Sequence, residues 1–421
     1  MKGVLVVPQV GLYGWNTYAT EGRRNNSLPH GLISIATEMN RRGHKVCLVD
    51  CRKYGGLNRA VGEILSQGPE FVGIGAMTVD FGIACDLFRE IKRLAPHVTT
   101  ILGGVHATVA PQDATPVEAI DFIVQGEGEW TLPEMAAANF VGYPRVVQGE
   151  CPDLDALLPI DRELTAYAAG ELMHGGGWNT RYPYLTVMSG RGCPHKCAFC
   201  WPVSFNLFGP KVRMRSVSHV IGELKFLYRN YKPAFVDFID DNFTMKPGWV
   251  REFITQYKAA GLVGPALNAA TRADTALAHP DLFEALRDIG LESVNVGFES
   301  GSDRILTLLD KGVTADQNRA AGKLFKGLGL KIIANVMFGF PGETPSETMA
   351  TLTMLKEMEA DYPSPAYFTP YPGCALHERY GKDLLTKNWS ELNRHATAPK
   401  LAGVDYAAIQ TLLRTELRGG L

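Results

Sequence analysis

Three cysteines, Cys193, Cys197 and Cys200, stand at C-x3-C-x2-C spacing in the stretch Ser189-Gly190-Arg191-Gly192-Cys193-Pro194-His195-Lys196-Cys197-Ala198-Phe199-Cys200-Trp201. A loop this short, free to bend at Gly190 and Gly192, can wrap three sulfurs around one inorganic cluster. A cubane 4Fe–4S cluster has one iron more than this loop has thiols, and an iron left open is a reactive site instead of a simple electron store. Two other chemistries use the same residues. His195 with the three thiols would make a zinc set, but it lies between two of the cysteines, and the two short ligand pairs usual for structural zinc are missing. A disulfide leaves one of the three thiols over and belongs to an oxidising compartment.

The apolar run Tyr184-Leu185-Thr186-Val187-Met188 leads into the loop, and Phe199 precedes its last cysteine. The spacing, this aromatic and the preceding strand resemble the radical S-adenosylmethionine (SAM) superfamily. The resemblance implies that Cys193, Cys197 and Cys200 hold a 4Fe–4S cluster whose open iron takes the amine and carboxylate of SAM.

Such a loop needs a frame. After it, strand-like runs at Phe235–Ile239, Ala266–Ala270, Ser293–Val296, Lys331–Val336 and Ala366–Thr369 alternate with helical patterns. With Leu185–Met188 they predict the partial (β/α)6 TIM-type barrel of radical SAM enzymes, in which chemistry sits at the carboxyl ends of the strands. Those ends carry Asp240-Asp241-Asn242-Phe243, Arg272, Gly297-Phe298-Glu299-Ser300-Gly301-Ser302, Phe338-Gly339-Phe340-Pro341-Gly342-Glu343-Thr344 and Pro370-Tyr371-Pro372-Gly373-Cys374. SAM needs acceptors for its amine and hydroxyls and a cation for its carboxylate. Asp240, Asp241 and Glu299 can supply the first and Arg272 the second; each taken separately could be an ion pair or a helix cap, and their shared position at strand ends favours the functional reading. The D-D-N-F, F-E-S-G-S and F-P-G-E-T phrases resemble the family's motifs, which adds Phe199, Ser300 and Phe338 to the expected SAM contacts. Cys374 follows the sixth strand. It is either a hydrogen-atom donor facing the reaction chamber or an inert packing residue.

The first part of the chain alternates in the same way. Runs at Val4–Val7, Val46–Val49, Phe71–Ile74, Thr99–Leu102 and Phe122–Val124 are separated by helical patterns such as Gly31–Arg42 and Ile83–Leu94. This predicts an α/β, doubly wound, Rossmann-like domain with its ligand beyond the carboxyl ends of the strands. The first turn has no G-x-G-x-x-G, which weakens a nicotinamide or flavin reading. Leu28-Pro29-His30-Gly31-Leu32, Leu102-Gly103-Gly104-Val105-His106 and Gln125-Gly126-Glu127-Gly128-Glu129 resemble the cobalamin-binding domain that precedes many radical SAM cores. The resemblance implies cobalamin contacts at Gln9, Thr78, Gly103, Gly104, His106, Gly126, Glu127 and Glu129. No D-x-H-x-x-G motif is present, so the cobalt is expected to lack that histidine ligand.

The division expected is a cobalamin-binding domain over 1–150, a linker over 151–183, the radical SAM core over 184–377 and a short helical cap over 378–421. Within the linker, Gly175-Gly176-Gly177-Trp178-Asn179 suits either a flap or a plain inter-domain loop. The 421 residues carry a formal net charge of −2, which gives no electrostatic footprint for nucleic acid. Of the eight cysteines, Cys47 and Cys51 are unsuited to a second cluster, because four residues of extended strand span roughly 13 Å. No apolar run is long enough for a membrane span, and the cytoplasm is the expected compartment.

What the resemblance implies for activity is a cobalamin-dependent methyltransferase. SAM cleavage would give a 5′-deoxyadenosyl radical that abstracts hydrogen from an unactivated carbon of a small-molecule, lipid or peptide substrate, and methylcobalamin would supply the methyl group. An external one-electron reductant such as flavodoxin or ferredoxin would be the partner. Cyclisation, rearrangement or oxidation with the same cofactors is the alternative, and a noncatalytic cobalamin or cluster sensor is a further one.

Overall fold

The computed structural model describes residues 1–8, 28–164, 181, 183–200 and 212–417. Two parallel sheets of six strands each carry the chain. The first contains β1 (Lys2–Val7), β2 (Lys45–Asp50), β3 (Phe71–Gly75), β4 (Thr99–Gly103), β5 (Phe122–Gln125) and β6 (Val146–Gln148), in the order β2-β1-β3-β4-β5-β6. Val4, Leu5 and Val6 are buried in succession, as expected of a central strand covered on both faces by helices. The helix Phe81–Leu94 turns Ile83, Leu87, Phe88 and Ile91 into the core, one apolar stripe at helical spacing. In a sheet of this order the chain reverses between β1 and β3, and the crevice at that switch point is where ligands sit. Two elements of this half escape the periodicity. β6 has only three residues, and Gly104–Val109 is a helix where the glycines suggest a turn.

The second half opens with β7 (Tyr184–Val187) and a two-residue antiparallel ribbon, β8 (Gly190–Arg191) with β9 (Arg213–Met214). Then come β10 (Phe235–Phe238), β11 (Ala266–Thr271), β12 (Leu291–Glu299), β13 (Lys331–Phe338) and β14 (Tyr362–Tyr367). The sheet runs β7-β10-β11-β12-β13-β14, every neighbour parallel, with helices between successive strands from β10 onward. The sixth strand corrects the expectation of Ala366–Thr369: it begins at Tyr362 and includes Pro363 and Pro365. β14 pairs only with β13, and an edge strand tolerates prolines because its missing N–H groups can face away from the ladder.

The two halves are stitched together ahead of the cluster loop. The His30 ring Nε2 lies 2.6 Å from Thr186 Oγ1 in β7, and burial lowers its imidazole to about 3. The linker runs along the first helix, with Leu158 N–H donating to Glu38 and Asp161 N–H to Thr37. Arg162 then donates to the Thr186 carbonyl and to Glu223. Gly175–Asn179 lie outside the described residues. At the far end, the helix Tyr406–Leu417 packs on Pro345–Glu357. The rest of 378–417 is mostly turns, and the turn Trp389–Glu391 lies against Thr78–Asp80 of the first half. No described helix is long and apolar enough to cross a membrane.

Candidate functional site

The cluster loop is positioned before its cysteines begin. Gly190 has no room for a side chain, since a Cβ would stand 2.8 Å from the Arg213 carbonyl oxygen. Gly192 has φ +90°, in the left-handed region that favours glycine. Asp240, at the carboxyl end of β10, accepts from Ser189 N–H at 3.1 Å and from Ser189 Oγ at 2.7 Å. Asp241 accepts from Gly192 N–H at 3.0 Å. The second half of the loop is tied through Ala198, whose N–H donates to Leu309 and whose carbonyl accepts from Leu376. None of Cys193, Cys197 and Cys200 is in a disulfide; two are half-buried and Cys200 is exposed.

Beside these thiols a guanidinium is held in place. Arg272 Nη1 stands 3.6 Å from Cys197 Sγ, while its other nitrogens donate to Asp274 and, at 2.6 Å, to the Lys311 carbonyl. A fixed positive charge favours thiolate ligands and the anionic cluster they would hold. Three soft donors with a neighbouring cation fit a 4Fe–4S cluster. Among the described residues no group of three metal-binding side chains is placed to hold a single ion.

Several expected SAM contacts have partners within the protein. The oxygens of Asp240 and Asp241 that the structure accounts for go to the backbone and hydroxyl of the cluster loop, so both act as anchors of that loop. Burial raises the Asp240 carboxyl to about 6, against the hydrogen bonds from Ser189. Ser300 turns away: its Oγ lies 3.2 Å from Thr351 Oγ1 and accepts from Ser302 N–H. Phe338 is fully buried in the barrel core. Cys374 is 2% exposed and packed with Phe340, Phe368 and Leu376, so its thiol faces apolar side chains and not an open chamber.

Glu299 and Phe199 do lie beside the loop. Glu299 sits at a register shift in β12 with φ +65°, a conformation that a non-glycine residue keeps only where its surroundings enforce it. Its Oε1 accepts from Lys311 Nζ at 2.9 Å, and that ammonium lies 5.8 Å from the centre of the Phe199 ring. Lys311 therefore joins Glu299, Phe199 and Arg272 into one polar rim. Sequence reasoning missed it because it follows a helix and not a strand; the adjoining Gly312 was the only cue.

The carboxyl end of the first sheet is built differently. Gly103 closes β4, and Gly104, at φ +82°, brings the backbone so close to Ala76 that a Cβ would stand 2.9 Å from its nitrogen. This packing seats His106, fully buried, with Nδ1 3.3 Å from Thr78 Oγ1 and the ring 4.2 Å from that of Phe81. Burial lowers its pKa against the pull of Asp113. His106 Nε2 has no hydrogen-bond partner, although Asp113 Oδ2 lies 3.4 Å away out of line. Asp80 Oδ1, two residues beyond Thr78 at the switch point, is likewise buried and unpartnered. Orphaned buried donors and acceptors at a ligand-binding crevice fit a large ligand edged with amides, as cobalamin is. Gln9 lies outside the described residues.

Glu127 and Glu129 are not at that crevice alone. They reach across to Arg191 and Arg213 of the ribbon that brackets the cysteines, and Gly126 supplies the bend ahead of them at φ +83°.

Comparison with known proteins agrees with both halves. The Radical SAM superfamily profile matches residues 187–355 and the B12 binding domain profile residues 23–136. An uncharacterized methyltransferase of Pyrococcus horikoshii is 31% identical over 92% of this chain and 86% of its own. An anaerobic magnesium-protoporphyrin IX monomethyl ester cyclase of Rubrivivax gelatinosus is 25% identical over 79% of this chain and 62% of its own. Among solved structures, the radical SAM methyltransferase TsrM of Kitasatospora setae superposes with a TM-score of 0.68 at 19% identity, covering 90% of this chain and 78% of that one, which speaks for the fold. With a cluster loop of three cysteines in a six-stranded parallel barrel, preceded by a B12-type sheet, the chain belongs to the cobalamin-binding radical SAM enzymes, whose cofactors are a 4Fe–4S cluster, SAM and cobalamin.

Proposed function

We propose that this enzyme is a cobalamin-dependent radical SAM methyltransferase acting on an unactivated carbon of a small-molecule substrate. The observation that carries the reading is the direct fastening of the cluster loop to the carboxyl end of the cobalamin domain through Arg191, which supports a reaction that uses both cofactors. The resemblance to the Pyrococcus methyltransferase over nearly the whole chain supports it. When bound, cluster and SAM supply one-electron cleavage of a carbon–sulfur bond, and the corrinoid supplies a methyl group.

The chain's own work is placement. Asp240 and Asp241 hold the cluster loop at the barrel mouth, and Arg272 sets a positive charge against Cys197. Phe199, Glu299 and Lys311 form the rim on which SAM would rest, with Lys311 suited to its carboxylate and Glu299 to its amine. Thr78, Asp80 and His106 line the opposite wall. Holding reacting groups at fixed separation and excluding water is where such a protein gains rate. Two large apolar side chains are exposed at the carboxyl ends, Met77 after β3 at 54% and Ile239 after β10 at 36%; they suit a substrate with an apolar part. An external one-electron reductant of the flavodoxin or ferredoxin kind completes the system.

The test is anaerobic reconstitution with methyl-labelled SAM and mass analysis of the products. Label in the product, together with 5′-deoxyadenosine, is expected. A product changed in mass by loss of hydrogen or gain of oxygen, without label, would favour the cyclase-like alternative that the Rubrivivax relative suggests.

A further inference from the structure

The ribbon that brackets the cysteines cannot stand by itself. It has two residue pairs, and a two-stranded ribbon that short has no independent stability. Its register places Arg191 directly opposite Arg213, and like charges facing each other across strands repel. Counter-charge arrives from the other domain. Glu127 Oε2 accepts from Arg191 Nη1 at 2.7 Å while Oε1 accepts from Arg213 Nη2. Glu129 Oε1 accepts from Arg191 Nη2, also at 2.7 Å. Two arginines and two glutamates thus form a neutral knot, and Arg213 Nη1 adds the Pro152 carbonyl of the linker.

The knot is enclosed. The Glu129 side chain is 3% exposed and those of Arg191 and Glu127 are each 21% exposed, and charge-assisted guanidinium–carboxylate hydrogen bonds so sheltered are short and directional. Burial would push the Glu129 carboxyl up, yet pairing with Arg191 holds it below its usual value. The acids sit on the turn that ends β5, one of the turns that frame the corrinoid crevice. Arg191 is two residues from Cys193. A displacement of that turn is therefore passed to the first cluster ligand through one planar side chain.

We propose that Glu127 and Glu129 are positioning residues for the cluster loop, acting through Arg191, and that through this knot the cluster senses whether corrinoid is bound. They are then not cobalamin contacts, the role their motif implies. The inference rests on the cofactors and not on methyl transfer, because its readout requires no product.

The experiment uses full-length protein with reconstituted cluster, SAM and dithionite, titrated with methylcobalamin, whose cobalt dithionite leaves diamagnetic, and followed by electron paramagnetic resonance of the reduced cluster. In the unmodified enzyme the cluster signal is expected to change as corrinoid fills its site. The Glu127→Gln/Glu129→Gln variant should retain iron and bind corrinoid as before, judged by absorbance, while losing that change. Arg191→Met should lose it too, and Arg191→Lys, which keeps the charge but not the fork, should restore part of it. If Arg191→Met cannot hold iron, the glutamate variant, remote in sequence from the cysteines, still decides. Three results would overturn the proposal: no corrinoid-dependent change in the unmodified enzyme, a normal change in the glutamate variant, or corrinoid bound roughly tenfold more weakly by that variant with the cluster response intact, the size expected for loss of a charge-assisted contact.

Discussion

The two carboxyl-end faces of this enzyme solve the same problem in opposite ways. At the barrel mouth the charged side chains engage protein, Asp240 on Ser189, Asp241 on Gly192, Arg272 on Asp274 and the Lys311 carbonyl, Glu299 on Lys311, although the neutral Asn242 keeps a buried Nδ2 without a partner. At the cobalamin sheet, buried polar atoms are left over, Asp80 Oδ1 and His106 Nε2. An unsatisfied buried polar group costs free energy that a partner returns. The barrel face thus fixes a loop in advance, while the cobalamin face gains its last hydrogen bonds from its ligand.

The comparison breaks most completely at the cysteines. Replacing Cys193, Cys197 and Cys200 together with alanine should abolish iron binding and SAM cleavage. Corrinoid binding should persist, since the first sheet has its own core around Val4, Ile74 and Phe88. Iron and sulfide analysis beside corrinoid absorbance checks both halves. Zinc without sulfide in the unmodified protein would contradict the cluster.

Next in size come the anchors. Asp240→Ala removes the acceptor for two donors of Ser189 in a buried site, and Asp241→Ala frees the Gly192 amide. Each lost hydrogen bond to a charged group is worth about 1.5–3 kcal/mol, roughly ten- to a hundredfold in the stability of the loop's bound geometry. Iron retention during gel filtration should fall in both variants, more in Asp240→Ala. If only SAM affinity fell, with iron unchanged, these carboxylates would be SAM acceptors after all.

The cobalamin face can be sharpened by pH. Burial raises the Asp80 carboxyl from 3.8 to about 7. The unfolded chain loses this proton near 3.8 while the folded chain keeps it until about 7, so the unfolded state binds fewer protons across that window and stability falls as pH rises through it. The difference amounts to at most ~4 kcal/mol by the usual conversion. Denaturant melts of corrinoid-free protein should show this decline between pH 4 and 7, and Asp80→Asn should flatten it. An equal slope in the variant would place the titration elsewhere.

How far the sequence reached differs between the same two faces. Both sheets were legible because continuous apolar runs and helical stripes repeat at regular spacing, and the cysteine triplet announces its chemistry by spacing alone. The boundaries of β14 were not, since Pro363 and Pro365 argue against a strand until its edge position is known. Nor were partners legible. Asp240, Asp241 and Glu127 have the right type for ligand contacts, but whether a carboxylate meets a ligand, an amide or an arginine depends on three-dimensional neighbours. Lys311 and Arg191 gave no periodic signal and matter only through contacts more than ten residues away in sequence.

The smallest effect is expected at Cys374. Its thiol is enclosed by Phe340, Phe368, Leu376 and Leu401, and burial pushes its pKa up, so it behaves as a small apolar group. It is also the N-cap residue of the helix Ala375–Tyr380, with no side-chain cap bond. Serine at that place loses a little apolar burial but can accept from the helix's first N–H groups, a cap usually worth about 1 kcal/mol. The two contributions oppose each other, so Cys374→Ser should change the melting midpoint little. Its ratio of product formed to SAM cleaved should match the unmodified enzyme. SAM cleavage that continues while product is lost would mean that the thiol donates a hydrogen atom to the substrate, and that the apolar cluster around it opens during turnover.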